Sequence, residues 1–270
     1  FVLLNARITK KTFDRWKFFK KFASELFNSF TVCISSNKET VKYLEYFNAK
    51  NIKYFGNIKF CSSTVKTNKY NVKQFANVEG KKMWCAASIH PGEEIFCGKT
   101  QKIIKETNSN SLLFIIPRHT NKVKKIYSNL TKMGFRVQIK NEKDSIDKLS
   151  EVILVNYYGS IPKYLSKIKQ VFIGKSLLEK LKNVGGQNPI EAAKMGCHIY
   201  YGPYVYNFKE IYDYLDRENL SEKVSKPEIL AKKIINNFDA IPQMENKTNE
   251  KLNLYSTEIF NNVIREYRKF

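Results

Sequence analysis

The sequence predicts an α/β protein whose sheets are parallel and covered by helices. Three observations carry that expectation. Short apolar runs of strand length, such as LLFII at 112–116, VILV at 152–155 and VFI at 171–173, alternate with stretches of helical periodicity. The 270 residues are 43% hydrophobic and 14% aromatic, enough for two cores of ordinary size or one large one. No apolar run exceeds five residues, far short of the ~20 that a membrane-spanning helix needs.

The elements follow in order. FVLLNARI opens the chain as a strand, residues 13–29 read as one amphipathic helix, and TVCIS (31–35) is the next strand. NKETVKYLEYFNA (37–49) has helical periodicity behind an Asn37 N-cap, and NIKYFGNIKF (51–60) reads as a strand pair around Gly56. Residues 61–80 are polar and weakly periodic, a linker or domain seam. KMWCAAS (82–88) begins a second series: a helix near 92–107, the strand LLFIIP (112–117), a helix at 120–133, and the strand FRVQI. VILVN (152–156), the helix IPKYLSKI, VFIG (171–174), a helix over 188–195 and HIYYG (198–202) complete it. Residues 237–252 read as a connecting loop. The last sixteen residues place Tyr255, Ile259, Phe260, Val263, Ile264 and Tyr267 on one stripe, which predicts a docked amphipathic helix. The domains expected are 1–80, 81–250 and a terminal helix at 251–270.

Charge narrows the partners. The net charge is +22, and residues 1–80 hold 15 basic against 5 acidic side chains, about twice the density of positive charge in the rest. That favours an anionic partner: nucleic acid, nucleotide, phosphorylated lipid or membrane surface. The charge is spread rather than striped, and no RNP-type aromatic motif, zinc module or recognition helix is visible, so nucleic acid is not the expected partner. Five cysteines (33, 61, 85, 97, 197) lie far apart with no C-x-x-C pair, which suggests a reducing compartment. The three histidines (90, 119, 198) lack metal-ligand spacing, and neither a structural metal nor a cofactor is expected.

The stretch VGGQNPIEAAKMGCHIYYGPYVYNF (184–208) is the most pointed. Asn188 as N-cap, Pro189 at the first helical position and Glu191 at the third would make a capped helix start, which is sufficient reason for those residues. Gly185 and Gly186 just before it add a second reading. They would let backbone approach a ligand, with a phosphate facing the helix N-terminus and Glu191 accepting from ribose hydroxyls. Two other loops follow strands in the same half: Ser88-Ile89-His90-Pro91-Gly92-Glu93-Glu94 and Pro117-Arg118-His119. A loop histidine is ordinary, but Arg118 at a strand end offers an always-charged fork to a phosphate. Loops after parallel strands emerge at one sheet edge, where such folds bind ligands.

In this order and spacing, S-x-H-x-G-E-E, I-P-R-H, G-G-x-N-P-x-E-A and G-P-x-x-x-N-F resemble the Kdo transferases. Those enzymes move 3-deoxy-D-manno-octulosonic acid (Kdo) from CMP-Kdo to the lipid A precursor of lipopolysaccharide. Asn5-Ala6-Arg7-Ile8-Thr9 and Gly56-Asn57-Ile58-Lys59-Phe60 are similar to further stretches of that family. The resemblance implies a GT-B architecture of two Rossmann-like domains, most of the N-terminal one missing here and the C-terminal helix crossing back. It implies inversion at the anomeric carbon without a metal, at the cytoplasmic face of the bacterial inner membrane. Carried over residue by residue, it assigns CMP binding to Pro117, Arg118, Tyr158, Gly159, Ser160, Asn188, Pro189, Ile190 and Glu191. Ser88, His90, Gly92, Gly185 and Gly186 become candidate donor contacts, and Lys59 the residue that stabilises the transition state.

The departures bear on donor affinity. Asn156 stands where the family usually has Asp, Ser160 where it has Glu, Gln187 where it has His, and Gly174-Lys175-Ser176 where it has G-G-S. The family's general base, a Glu in a Gly-rich loop, would precede Asn5, so donor binding without transfer is expected of this sequence by itself. Finally, KKTFDRWKFFKKF (10–22) interleaves Lys10, Lys11, Arg15, Lys17, Lys20 and Lys21 with Phe13, Trp16, Phe18, Phe19 and Phe22. Such a helix suits an anionic bilayer or phosphorylated lipid acceptor. It equally suits a helix docked by its aromatic face. Another GT-B nucleotide-sugar transferase, or a basic nucleic-acid-binding protein, are the alternative functions.

Overall fold

The computed structural model describes residues 1–61, 72–238 and 245–270. The chain divides into two compact units, Phe1–Ser63 with Glu250–Phe270, and Thr64–Asn249. Both are built on parallel sheets, as the alternation of strand and helix patterns requires.

The first unit begins with β1 (Val2–Ala6), α1 (Lys10–Lys17) and α2 (Lys20–Asn28), followed by β2 (Val32–Ser35), α3 (Lys38–Tyr46) and β3 (Ile52–Tyr54). The strands lie in the order β1-β2-β3. Asn37 caps α3 as the sequence predicts, its side chain accepting from Thr40 N–H at 2.7 Å. The single helix expected over 13–29 is instead two, broken where Phe19 takes φ −121°, ψ 40°. No Gly or Pro marks the corner. Each half packs inward by its own residues, Phe13 and Trp16 from α1, Ala23 and Phe27 from α2. The strand pair expected around Gly56 is also corrected. The strand ends at Tyr54, and the chain turns through Gly56 (φ +106°) into a 3-10 turn, Ile58–Cys61. A Cβ on Gly56 would lie 2.7 Å from Ile259 Cδ1, so the terminal helix occupies the space that a second strand would need.

That C-terminal helix, Glu245–Tyr267, starts inside the stretch expected to be loop and returns to the first unit. Tyr255 meets the Phe60 ring edge-on at 5.0 Å, and Cys61 Sγ donates to Ser256 O. Ile259 and Val263 are buried, but Phe260 and Tyr267 of the expected stripe are exposed. The apolar face is therefore narrower than six residues implied. Among the described residues no helix is long and apolar enough to cross a membrane.

The second unit runs β4 (Lys82–Ile89), α4 (Glu93–Thr107), β5 (Ser111–Pro117), α5 (Val123–Lys132), β6 (Val137–Lys140), β7 (Val152–Val155) and α6 (Ile161–Leu165). It continues through β8 (Gln170–Ile173), α7 (Ile190–Lys194), β9 (His198–Tyr201), α8 (Lys209–Arg217), β10 (Ser221–Lys223) and α9 (Pro227–Asn237). Its seven parallel strands lie in the order β10-β9-β8-β4-β5-β7-β6. From β4 the chain builds first toward β5, then crosses back to add β8 on the other side. The switch point therefore falls between β4 and β8, where the carboxyl ends of such strands leave a crevice. The central strands are apolar on both faces because helices cover both, with Trp84, Leu113, Leu154 and Phe172 fully buried. Phe75, in the 3-10 segment Val72–Val78, packs on Phe114 and Tyr164.

Candidate functional site

Each loop at the carboxyl edge of the second sheet is held by a local device. Ser88, the next to last residue of β4, is buried and has the left-handed φ of +56°. A non-glycine residue in that region typically costs about 1–3 kcal/mol and persists only where its surroundings impose it. Arg118 N–H donates to Ile89 O at 3.0 Å, tying the loop after β5 to the loop after β4. Lys175, just past β8, also has a left-handed φ, +58°.

Glu93 pins these loops together. It is fully buried, and its two oxygens accept four backbone N–H groups: His90 (2.8 Å), Lys175 (2.7 Å), Ser176 (2.8 Å) and Leu177 (3.0 Å). A buried carboxylate is tolerable only with this degree of satisfaction. A side chain at position 174 would bring a Cβ within 2.4 Å of Ile89 Cα, so glycine is required there. Sequence reading left Glu93 without a role, because three of its partners lie more than 80 residues away. Glu94 does a smaller version of the same work, accepting from Gly92 N–H and Asn129 Nδ2.

An open cleft of about 200 Å³ lies over the ends of β4, β5 and β7. Ser88, Pro117, Arg118, Tyr158, Gly159, Ser160 and Glu191 line it, seven residues that the sequence placed at one site. Tyr157, Ile116, Ile161 and Pro162, which the sequence reading did not select, complete the wall. The signal for them was available, since Ile116, Tyr157 and Ile161 each adjoin a selected residue and Pro162 follows one position on. Tyr158 is 72% exposed and presents an aromatic surface, while Ser160 is buried at the foot of α6. Burial pushes the half-buried Glu191 carboxyl above its ordinary range. Arg118 and Glu191 thus share one cleft, one a fixed cation and the other a carboxyl able to accept from or donate to a hydroxyl.

The helix start at 188–191 differs from expectation. α7 begins at Ile190 with Pro189 as its cap residue, so Asn188 stands one position outside and Glu191 at the second helical position. Asn188 Oδ1 accepts from Ile190 N–H at 3.1 Å. Pro189 has no N–H, and Asn188 takes the next one, which leaves less for an anion than the capped start implied. Asn188, Pro189 and Ile190 are not among the cleft-lining residues; neither are His90, Gly92, Gly185 and Gly186. The paired glycines have an internal reason. A Cβ on Gly185 would lie 2.2 Å from Tyr204 O, and Gly186 (φ +89°) donates its N–H to Lys175 O at 2.7 Å. Their backbone comes close to other backbone, and this accounts for the motif.

His90 and His119 meet edge to face with centroids 5.8 Å apart. Burial, then the charges of Lys175, His119, Arg118 and Lys180, lower the His90 imidazole to about 4. Its Nε2 is buried and makes no hydrogen bond. Lys59 belongs to the other unit, exposed on the turn Ile58–Cys61. In that unit the 10–22 stretch does two things. Phe13 stacks on Tyr43 at 4.0 Å and Trp16 packs on Phe27, whereas Phe18, Phe19 and Phe22 are 85%, 70% and 64% exposed at the α1–α2 corner.

Comparison with known proteins adds ancestry to this geometry. A family model described as 3-deoxy-D-manno-octulosonic-acid transferase (kdotransferase) matches residues 1–62. The chain is similar to the 3-deoxy-D-manno-octulosonic acid transferase of Rickettsia bellii, 26% identical over 203 residues, covering 75% of this chain and 47% of that protein. With the Aquifex aeolicus enzyme of the same name it shares 26% over 209 residues, 77% of this chain and 54% of the other. The chain spans about half the length of these curated relatives. Among solved structures, the C-terminal CMP-Kdo binding domain of WaaA from Acinetobacter baumannii superposes with TM-score 0.55 at 18% identity, covering 76% of this chain and 99% of that one. Anabaena HepE in complex with UDP and glucose gives 0.59 at 12%, covering 100% and 71%. These likenesses establish the fold class, α/β with parallel sheets as in GT-B glycosyltransferases.

Proposed function

We infer that this chain, a relative of the 3-deoxy-D-manno-octulosonic acid transferases, binds the CMP end of an activated sugar acid in the cleft of its second unit. One observation carries this reading: loops far apart in sequence bring Arg118, Tyr158, Ser160 and Glu191 to one cleft at the carboxyl edge of the sheet. Arg118 supplies a planar, permanently charged fork for the phosphate. Glu191 meets the ribose hydroxyls, and Tyr158 offers its face to the base. Ser160, standing where the family has a carboxylate, reaches the nucleotide with a hydroxyl.

The reaction we propose for the whole enzyme is transfer of Kdo from CMP-Kdo to a hydroxyl of the lipid A precursor, with inversion and without a metal. The acceptor oxygen bonds to the anomeric carbon as the bond from that carbon to the phosphate oxygen breaks. CMP departs with the electron pair and a base takes the acceptor's proton. Lys59 is the residue we assign to the charge that builds on the departing phosphate, by its match to the family stretch G-N-I-K-F. The partner we assign to the α1–α2 corner is the anionic cytoplasmic surface of the bacterial inner membrane. Exposed phenylalanines beside Lys17, Lys20 and Lys21 support that reading.

Thermal unfolding with added nucleotide tests the donor assignment. A ligand present at 100 times its Kd adds about 2.7 kcal/mol, a rise of several degrees for a domain of this size. CMP is expected to give that rise, UDP and GDP none. Protection by UDP alone would instead favour another GT-B nucleotide-sugar transferase.

A further inference from the structure

The Glu93 clamp braces the cleft on its β4–β8 side, and the β6–β7 side carries a brace of opposite charge. Lys140 closes β6, an edge strand of the seven, and is fully buried. Its ammonium donates to three main-chain carbonyls of the loop that follows: Asn141 O at 2.9 Å, Glu142 O at 3.5 Å, and Asp144 O. An ammonium has three N–H donors, and this cage supplies an acceptor for each. We propose that Lys140 is a positioning residue for the nucleotide cleft: it shapes the loop after β6 and, through Asn156 and Tyr157, fixes the wall that the nucleotide meets. The inference rests on the donor assignment above and deepens it, since it names what stands behind one side of that site.

The cost of the arrangement is the first support. A buried charge is expensive even when its donors are satisfied, and an apolar residue would close an edge strand at less cost. The second is a line of contacts that runs from Lys140 to the cleft. Lys140 stands opposite Val155 in the β6–β7 ladder, and its carbonyl accepts from Asn156 N–H at 2.9 Å. Asn156 Nδ2 donates to Asn141 Oδ1 at 3.0 Å, so the end of β6 and the start of its loop are both tied to Asn156. The next residue, Tyr157, lines the cleft, and its ring centroid lies 5.9 Å from Lys140 Nζ. Its hydroxyl donates to that of Tyr164 at 3.2 Å, and Tyr164 is fully buried against Phe75 and Phe114. The third support is the loop itself. One carboxylate oxygen of Asp144 accepts from Asn141 N–H at 2.8 Å and from Asn141 Nδ2 at 3.0 Å, which folds the loop around the ammonium. Residues 140–145 are not among those lining the cleft, so the cage acts through Tyr157 and not by touching a ligand. A wall that must hold its shape needs such support from behind.

Calorimetry with CMP tests the line of contacts in the full chain, its Lys140→Met and Tyr157→Leu variants, and the double variant. Lys140→Met keeps a flexible apolar stem and removes the ammonium. Each single variant, held well below its thermal midpoint, is expected to weaken CMP binding at least ~10-fold. The double variant should bind no more than about twofold worse than the weaker single one, because both changes act on one element. Effects that multiply toward ~100-fold would overturn the proposal. So would unchanged CMP affinity in a folded Lys140→Met protein, whose lysine would then serve stability alone. Should Lys140→Met not fold, hydrogen exchange on the unsubstituted chain decides. If the loop biases the cleft, a ligand in the cleft must bias the loop by the same coupling, so saturating CMP is expected to slow amide exchange at residues 141–145 at least about threefold. Exchange there that CMP leaves unchanged would overturn the proposal. Failure of CMP to bind the unsubstituted chain would remove the donor assignment, and this inference with it.

Discussion

Positive charge gathers in two places, and the two are built differently. At the α1–α2 corner Lys17, Lys20 and Lys21 stand in water beside three exposed phenylalanines, and the cations found there have rings within reach, Lys17 over Phe13 at 4.8 Å and Lys20 over Tyr46 at 4.4 Å. At the carboxyl edge of the second sheet, Arg118, Lys175 and Lys180 ride on loops locked by a buried carboxylate. The first arrangement tolerates displacement, as contact with a fluid surface must. The second fixes position, as recognition of one oxyanion must. Charge alone does not identify a partner; the rigidity beneath it does.

The sharpest way to break the comparison is to unlock the second region. Glu93→Ala leaves four N–H groups, one buried and three partly buried, without their acceptor, and an unpaired buried group costs on the order of 1–3 kcal/mol. Water entering the space would recover part of that, so the expected loss of unfolding free energy is about 3 kcal/mol or more, measured by urea titration. Lys20→Ala at the exposed corner should change it by less than ~0.5 kcal/mol. A Glu93 loss as small as the Lys20 one would mean that the loops are held by something else.

The corner has its own test, with a middling effect. Replacing Phe18, Phe19 and Phe22 together by Ser should reduce binding to vesicles containing anionic lipid at least ~10-fold, since each buried ring contributes roughly 1.5–3 kcal/mol on insertion. Stability should stay level, because these rings pack on nothing that folding needs. If binding falls only with the lysines and not with the rings, the corner reads charge and nothing more.

These contrasts show what was legible in advance. Periodicity found every strand of both sheets except the short β10, and the Asn37 cap; the strand-end rule pointed to Arg118, the 184–208 stretch to Glu191, and only the family resemblance to Ser160. Those signals are local, or follow from the topology of parallel strands. What escaped depends on contacts distant in sequence. Nothing near residue 93 announces that its carboxylate will bind residues 175–177, and nothing near Gly185 announces the Tyr204 carbonyl. The same holds for the corner at Phe18–Phe19, where two halves of an apparently continuous pattern each pack inward. Sequence showed that both faces of that stretch were aromatic, but tertiary packing decided which rings would be left in water.

The smallest expected effect concerns pH, and it separates the two regions without any ligand. His90 is lowered to about 4 in the folded protein from an ordinary 6.5, by burial and by Lys175, His119, Arg118 and Lys180. Between those values the unfolded chain binds a proton that the folded chain refuses, so stability falls as pH drops from about 6.5 toward 4. His90→Gln should flatten that part of the acid limb in urea titrations run at stepped pH. The half-buried ring leaves room for solvent screening, so the change will be modest. The corner holds no histidine, so replacing Lys17, Lys20 and Lys21 by Gln should leave that part of the acid limb as it was.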